Sequence, residues 1–113
     1  MNIRNPAGVV ILDLKGKIIG NDSVELKRII DEQMAAATDA PKLLFNLSGV
    51  SMMDSSGLGT LIGAQLSVGR RNGRIGVIHL GHQIRSLLVM AKLITVLERF
   101  ESEEEAIQSL SSS

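Results

Sequence analysis

The apolar positions of this chain come in blocks whose period changes from one to the next. Residues 9–14 (VVILDL) form a dense aliphatic and β-branched run, which predicts a strand. Gly16 interrupts it, and Lys17-Ile18-Ile19 resumes it as the second arm of a hairpin before Gly20-Asn21 turns the chain away. Asp22 then stands three residues before Glu25, the spacing of a capping box, and Leu26, Ile29, Ile30, Met34 and Ala37 follow at helical period. Pro41 separates that helix from residues 42–47 (KLLFNL), whose apolar side chains on both parities fit a strand covered on both faces. A polar loop of small residues, Ser48-Gly49-Val50-Ser51, leads through Met52-Met53-Asp54-Ser55-Ser56-Gly57 into a second helix. Its apolar face reads Leu58, Leu61, Ile62, Gln65, Leu66 and Gly69, and Asn72-Gly73 ends it with residues that tolerate positive φ.

Residues 75–80 (IGVIHL) predict a further strand, and a third helix follows with Ile84, Leu87, Leu88 and Ala91 on its buried side. Thr95-Val96-Leu97 reads as a short last strand with Phe100 near its end. Ser102 and Glu105 make a second capping-box spacing, ahead of a helix with Ala106, Ile107 and Leu110 as its contact face. The predicted order is β-β-α-β-α-β-α-β-α. Alternation of this kind implies an α/β fold: a mixed, mostly parallel sheet of about five strands flanked by about four helices. One domain spans residues 1–113, with a tail fraying from about residue 110.

Charge removes several functions from consideration. Twelve basic and twelve acidic residues balance, and an unbiased surface is a poor match for a nucleic-acid backbone. The absence of cysteine rules out disulfides, thiol catalysis and thiolate metal sites, and is compatible with a reducing cytoplasm. No run approaches the roughly 18 apolar residues that a membrane helix needs, and the start MNIRNPAG lacks the apolar core of a secretory signal. A cytoplasmic protein with no membrane partner is expected. Phe45 and Phe100 are the only aromatic residues, too few for a base-stacking platform.

The chemistry is concentrated in Asp54-Ser55-Ser56-Gly57-Leu58-Gly59, between a buried strand and a helix, where open α/β sheets place their ligands. The ordinary role of a serine at such a point is to cap the helix. Two serines stand where a cap needs one, however, so one hydroxyl is spare. Gly57 and Gly59 open the backbone of the first turn to close approach, and Met52 and Met53 bring adaptable thioethers that serve a partner surface as well as a core. Asp54 is suited to holding the helix start rather than acting as a base.

The segment LLFNLSGVSMMDSSGLGTLIGA resembles the signature of STAS domains, specifically of anti-sigma-factor antagonists. The resemblance extends along nearly the whole chain. It implies a small switch protein whose phosphoacceptor, the serine directly after the motif aspartate, is Ser55. Met52, Met53, Asp54, Ser56, Gly57, Leu58 and Gly59 then form the partner-binding loop. The implied partners are an anti-sigma factor that is itself a serine kinase and a serine phosphatase that resets the switch. No cofactor is implied, and a monomer suffices. One stretch departs from the family, which commonly carries acidic residues in its second strand, Gly-Glu/Asp-Leu-Asp, where this chain reads Gly16-Lys17-Ile18-Ile19.

Enzyme readings fit poorly. A dinucleotide fingerprint would need glycine at position 62, which is Ile62, and Ser55 is not in a Gly-x-Ser-x-Gly elbow. His79 and His82 lack an evident third metal ligand. Arg70, Arg71 and Arg74 read as a solvated helix-to-strand turn. The alternative is a binding module of the same fold that is never phosphorylated, serving as a scaffold or a small-ligand sensor.

Overall fold

The computed structural model describes residues 1–90, 92 and 97–112. The elements are β1 (Asn2–Arg4), a 3-10 turn (Pro6–Gly8), β2 (Val10–Ile18), α1 (Asn21–Ala36), β3 (Lys42–Met53) and α2 (Ser55–Arg70). They are followed by β4 (Arg74–Ile78), α3 (His82–Met90), β5 (Glu98–Phe100) and α4 (Glu103–Ser111). The sheet runs β1-β2-β3-β4-β5, with β1 antiparallel to β2 and every other pairing parallel. The expected α/β architecture is therefore present.

Two apolar layers sandwich the sheet. Residues that alternate along the strands, such as Leu12, Leu14, Leu43, Phe45 and Leu47, point to one face and meet Leu26, Ile30 and Met34 of α1, Leu58, Leu61, Ala64 and Val68 of α2, and Ile84 and Leu88 of α3. On the opposite face Val9, Ile11, Leu44 and Ile78 are covered by Ala106 and Leu110 of α4, with Phe100 and Ile107 packed beside them. Two arginine clasps hold that side. Arg4 joins Asp13 (2.7 Å) to Glu103 (2.5 Å), and Arg74 joins Glu98 to the Ser109 carbonyl oxygen (2.7 Å).

Several local expectations need correction. Gly16 does not break a hairpin. Its positive φ of 76° is absorbed as an irregularity within a single nine-residue strand, and the extra strand is the N-terminal Asn2–Arg4. The loop expected at residues 48–51 is strand: β3 continues to Met53 by bulging twice against β2, between the pairs Asp13↔Asn46 and Lys15↔Gly49 and between Gly16↔Val50 and Lys17↔Met52. Helix α1 starts at Asn21, so Asp22 lies inside the first turn, where its side chain accepts from the Ile19 N–H (3.4 Å) instead of forming the N-cap of a capping box. The buried face of α2 is rotated to Gly57, Leu58, Leu61, Ala64 and Val68, which leaves Leu66 57% exposed. Ser102 does cap α4, accepting from the Glu105 N–H at 3.1 Å. The last strand is Glu98–Phe100, just after the predicted Leu97, whereas Thr95, Val96 and Ala91 lie outside the described residues.

Candidate functional site

The pairings at the two edges of the sheet stop early. β1 reaches only Asp13 of β2, and β4 reaches only Asn46 of β3. Beyond those points β2 and β3 continue together as a two-stranded tongue, residues 15–18 against residues 49–53, and α2 begins immediately after its tip. A serine at the start of α2 thus stands at the far end of the tongue, clear of the sheet edges.

The helix start is held by Asp54, not by a serine. Asp54 is the N-cap with extended backbone, and its Oδ1 accepts from the Gly57 N–H at 3.0 Å. Its Oδ2 reaches back across 34 residues to the Gly20 N–H (3.3 Å), and its own N–H donates to the Ile18 carbonyl oxygen (3.4 Å). One side chain therefore ties α2 to the end of β2. Accepting from backbone N–H groups, that of Gly57 foremost, holds the Asp54 carboxyl below its ordinary pKa, so it stays ionised at neutral pH.

Gly57 is there because nothing larger fits. A Cβ on it would sit 2.6 Å from the Ile18 carbonyl oxygen and 2.7 Å from the Met53 Cγ, whereas a Cβ on Gly59 would meet nothing within 4 Å. The two motif glycines have different causes. The first allows helix and strand to touch, and the second leaves a bare patch on the exposed side of the helix.

The candidate loop divides by exposure. Met53, Gly57 and Leu58 are buried, and Met53 and Leu58 belong to the main core. Met52 (41% exposed), Ser55, Ser56 and Gly59 face solvent. Ser55 occupies the first helical position and its hydroxyl makes no hydrogen bond with a described residue, so the fold does not depend on it. Ser56 instead lines a shallow groove between α1 and α2 with Lys27, Asp31 and Gly63. The Ile18 carbonyl and the Gly20 N–H were not legible as parts of the site, since their roles depend on a contact between distant segments.

The other candidates fall elsewhere. His79, which follows β4 with a left-handed φ of 58°, lines a cavity of about 740 Å³ with Arg85 and Arg99, whereas His82 lines a different one beside Met53. Among the described residues no group of three His, Asp or Glu side chains could hold a metal ion. The arginine turn is not simply solvated: Arg71 donates to the Met34 and Ala37 carbonyl oxygens at the end of α1, and Arg74 is the clasp described above. No described helix is long and apolar enough to cross a membrane.

The family model of the STAS domain matches residues 1–106. The chain belongs to the STAS domain family. A curated relative, the anti-sigma F factor antagonist of Paenibacillus polymyxa, is 25% identical over 103 residues, covering 91% of this chain and 87% of that protein. Among solved structures, a candidate anti-sigma factor antagonist from Thermotoga maritima superposes with a TM-score of 0.88 at 19% identity, covering 96% of this chain and 92% of that one. The anti-sigma factor antagonist SpoIIAA in its unphosphorylated form gives 0.80 at 21% identity, covering 99% and 96%. Its phosphorylated form, from Bacillus, gives 0.73 at 22%, covering 96% of each chain. At these identities the structural likeness shows a shared STAS fold.

Proposed function

We propose that this STAS domain is an anti-sigma-factor antagonist operated by phosphorylation of Ser55. Unphosphorylated, it docks an anti-sigma serine kinase through the loop at the tip of the tongue, and a sigma factor is thereby released. The kinase brings ATP and magnesium and phosphorylates Ser55, which ends docking, and a serine phosphatase restores it. The observation that carries this reading is the division of labour at the helix start. Asp54 makes the cap, which leaves the exposed Ser55 hydroxyl free to take a charge. The names of the curated relative and of SpoIIAA, which is known in unphosphorylated and phosphorylated forms, support it.

The energies favour a switch read by the partner. A phosphate at the N-terminus of a helix gains about 0.3–1 kcal/mol from the dipole, so the domain tolerates it without refolding. The same dianion buried unpaired in an interface beside Asp54 costs several kcal/mol, of order 3 or more. A loss of about 3 kcal/mol weakens binding more than a hundredfold. The interface effect wins.

Incubation with the cognate kinase and ATP, followed by intact mass measurement, tests the proposal. The wild type should gain one phosphoryl group and Ser55→Ala none. Ser55→Ala should bind the kinase persistently and Ser55→Asp at least tenfold more weakly, with both variants melting close to the wild type. Equal binding by both variants would remove Ser55 as the switch. No phosphoryl gain with any cognate kinase would favour an unphosphorylated scaffold or ligand sensor.

A further inference from the structure

We infer that the open face of the β2–β3 tongue is the part of the docking surface that selects the partner, and that it fits an acidic patch on the anti-sigma kinase. This rests on the reading of Ser55 above and adds to it the chemistry of the partner.

Leu14 and Ile18 point into the core beneath the helices, so their neighbours Lys15 and Lys17 stand on the other face of β2. On β3 the two bulges turn Val50 and Met53 toward the helices and leave Met52, paired with Lys17, on the opposite side. That side of the sheet is covered by α4 only over Val9, Ile11, Leu44 and Ile78. The tongue extends past it. Its face thus presents two ammonium groups beside a thioether that is 41% exposed.

Neither lysine has an ion pair or hydrogen bond with a described residue, and the tongue itself (residues 15–18 and 49–53) contains no acidic side chain. The nearby carboxylates are engaged. Asp13, at its base, is held by Arg4 and Asn46, and Asp54, at its tip, accepts from Gly57 and Gly20. Gly49 fits this arrangement, because a Cβ on it would approach the Cβ of Lys15 to 2.9 Å. The bare backbone gives the lysine stem its seat. A chain with no net charge therefore carries the positive field of two ammonium groups on the open face of the tongue that leads to Asp54 and Ser55. Such a field attracts an acidic counterpart and sets association rate and partner choice more than total affinity. It also sharpens the switch: an acidic partner face that is drawn to the lysines repels a phosphate on Ser55.

Lysines on unpaired strand edges have another use, which is to prevent sheets from joining edge to edge. Charge reversal separates the two. Binding of the unphosphorylated protein to its cognate anti-sigma kinase is measured between about 50 and about 300 mM salt, within which the screening length shortens substantially. The variants are Lys15→Glu/Lys17→Glu, Lys15→Arg/Lys17→Arg and Ser55→Asp, with thermal melts to confirm folding. The expected results are wild-type affinity that falls with salt, a loss of about tenfold or more in the double glutamate variant with a flattened salt response, and retention in the arginine variant. Double glutamate binding within about twofold of wild type, with an unchanged salt response, would overturn the inference and leave the lysines as edge guards. In that case a weak Ser55→Asp would still uphold the switch. A wild type that neither binds the kinase nor is phosphorylated would overturn both.

Discussion

Replacing Gly57 by alanine adds one methyl group at the point where α2 leans on the end of β2. The new carbon would lie 2.6 Å from the Ile18 carbonyl oxygen, where ordinary contact begins at 3.4 Å, a shortfall of 3.4 − 2.6 = 0.8 Å. A flexible side chain could yield by that much, and the Met53 Cγ at 2.7 Å can partly do so. The Ile18 oxygen cannot. It belongs to a paired strand and already accepts the Asp54 N–H, so relief requires moving the cap away from the strand. Overpacking of this kind costs about 1–3 kcal/mol. Removing a glycine from a helix returns up to about 1 kcal/mol, less in the first turn. The net loss is therefore about 1–2 kcal/mol, a drop of roughly 4–10 °C in melting temperature for a domain of this size. Gly59→Ala is the control. With nothing within 4 Å of its Cβ, it keeps the helix-propensity gain and should be more stable than the wild type by about 0.5–1 kcal/mol. Thermal and urea unfolding of the two variants test the pair. Gly57→Ala as stable as Gly59→Ala would refute the close-contact account of the motif.

Two further outcomes test contacts made by Arg71 and Arg4. Arg71→Ala frees the Met34 and Ala37 carbonyl oxygens at the end of α1 and should cost about 1 kcal/mol, whereas Arg70→Ala, at an exposed position next to it, should stay within about 0.5 kcal/mol by urea denaturation. Asp13 is held below its ordinary pKa, first by its hydrogen bond from Arg4 and further by Asn46. A carboxyl depressed in the folded state contributes stability at pH values above its unfolded pKa and loses that contribution as pH falls through the folded one. Asp13→Asn should accordingly be less stable than the wild type near neutrality, and the gap should close below about pH 4 in unfolding measured across pH. A gap that persists unchanged into acid would exclude the Arg4 pair as its source.

The class of fold was legible because it depends on period alone. Blocks such as KLLFNL and IGVIHL carry apolar side chains on both parities and so call for cover on both sides, which points the chain to a layered α/β arrangement. The errors arose where geometry departs from a fixed period. Leu43, Phe45 and Leu47 alternate, but the next residues on that face are Val50 and Met53, each displaced by a bulge. Spacings of three look like a loop to a reader counting in twos. In α2, Ala64 and Val68 take the core positions and leave Leu66 outside, because the helix is set close to β2 at Gly57, and small residues suit close approach better than large ones.

The candidate site was legible in its residues and only partly in its assignments. Local sequence gave Asp54 the helix start but also offered the serines as caps; the contact with Gly20, 34 positions away, could not be read there, and the bond from the Gly57 N–H to the Asp54 Oδ1 shows why neither hydroxyl is needed. On the proposed function, that bond also explains how a phosphoacceptor can stand at a structural junction. A capping serine would couple each phosphorylation to the loss of a cap worth about 1 kcal/mol, and the domain's stability would change with its signalling state. With the aspartate holding the helix start and Gly57 allowing it to approach the strand, a charge on Ser55 falls on a position with no structural duty. In the proposed switch the fold then supplies a constant platform, and the change in charge would be felt only by a molecule that docks on it.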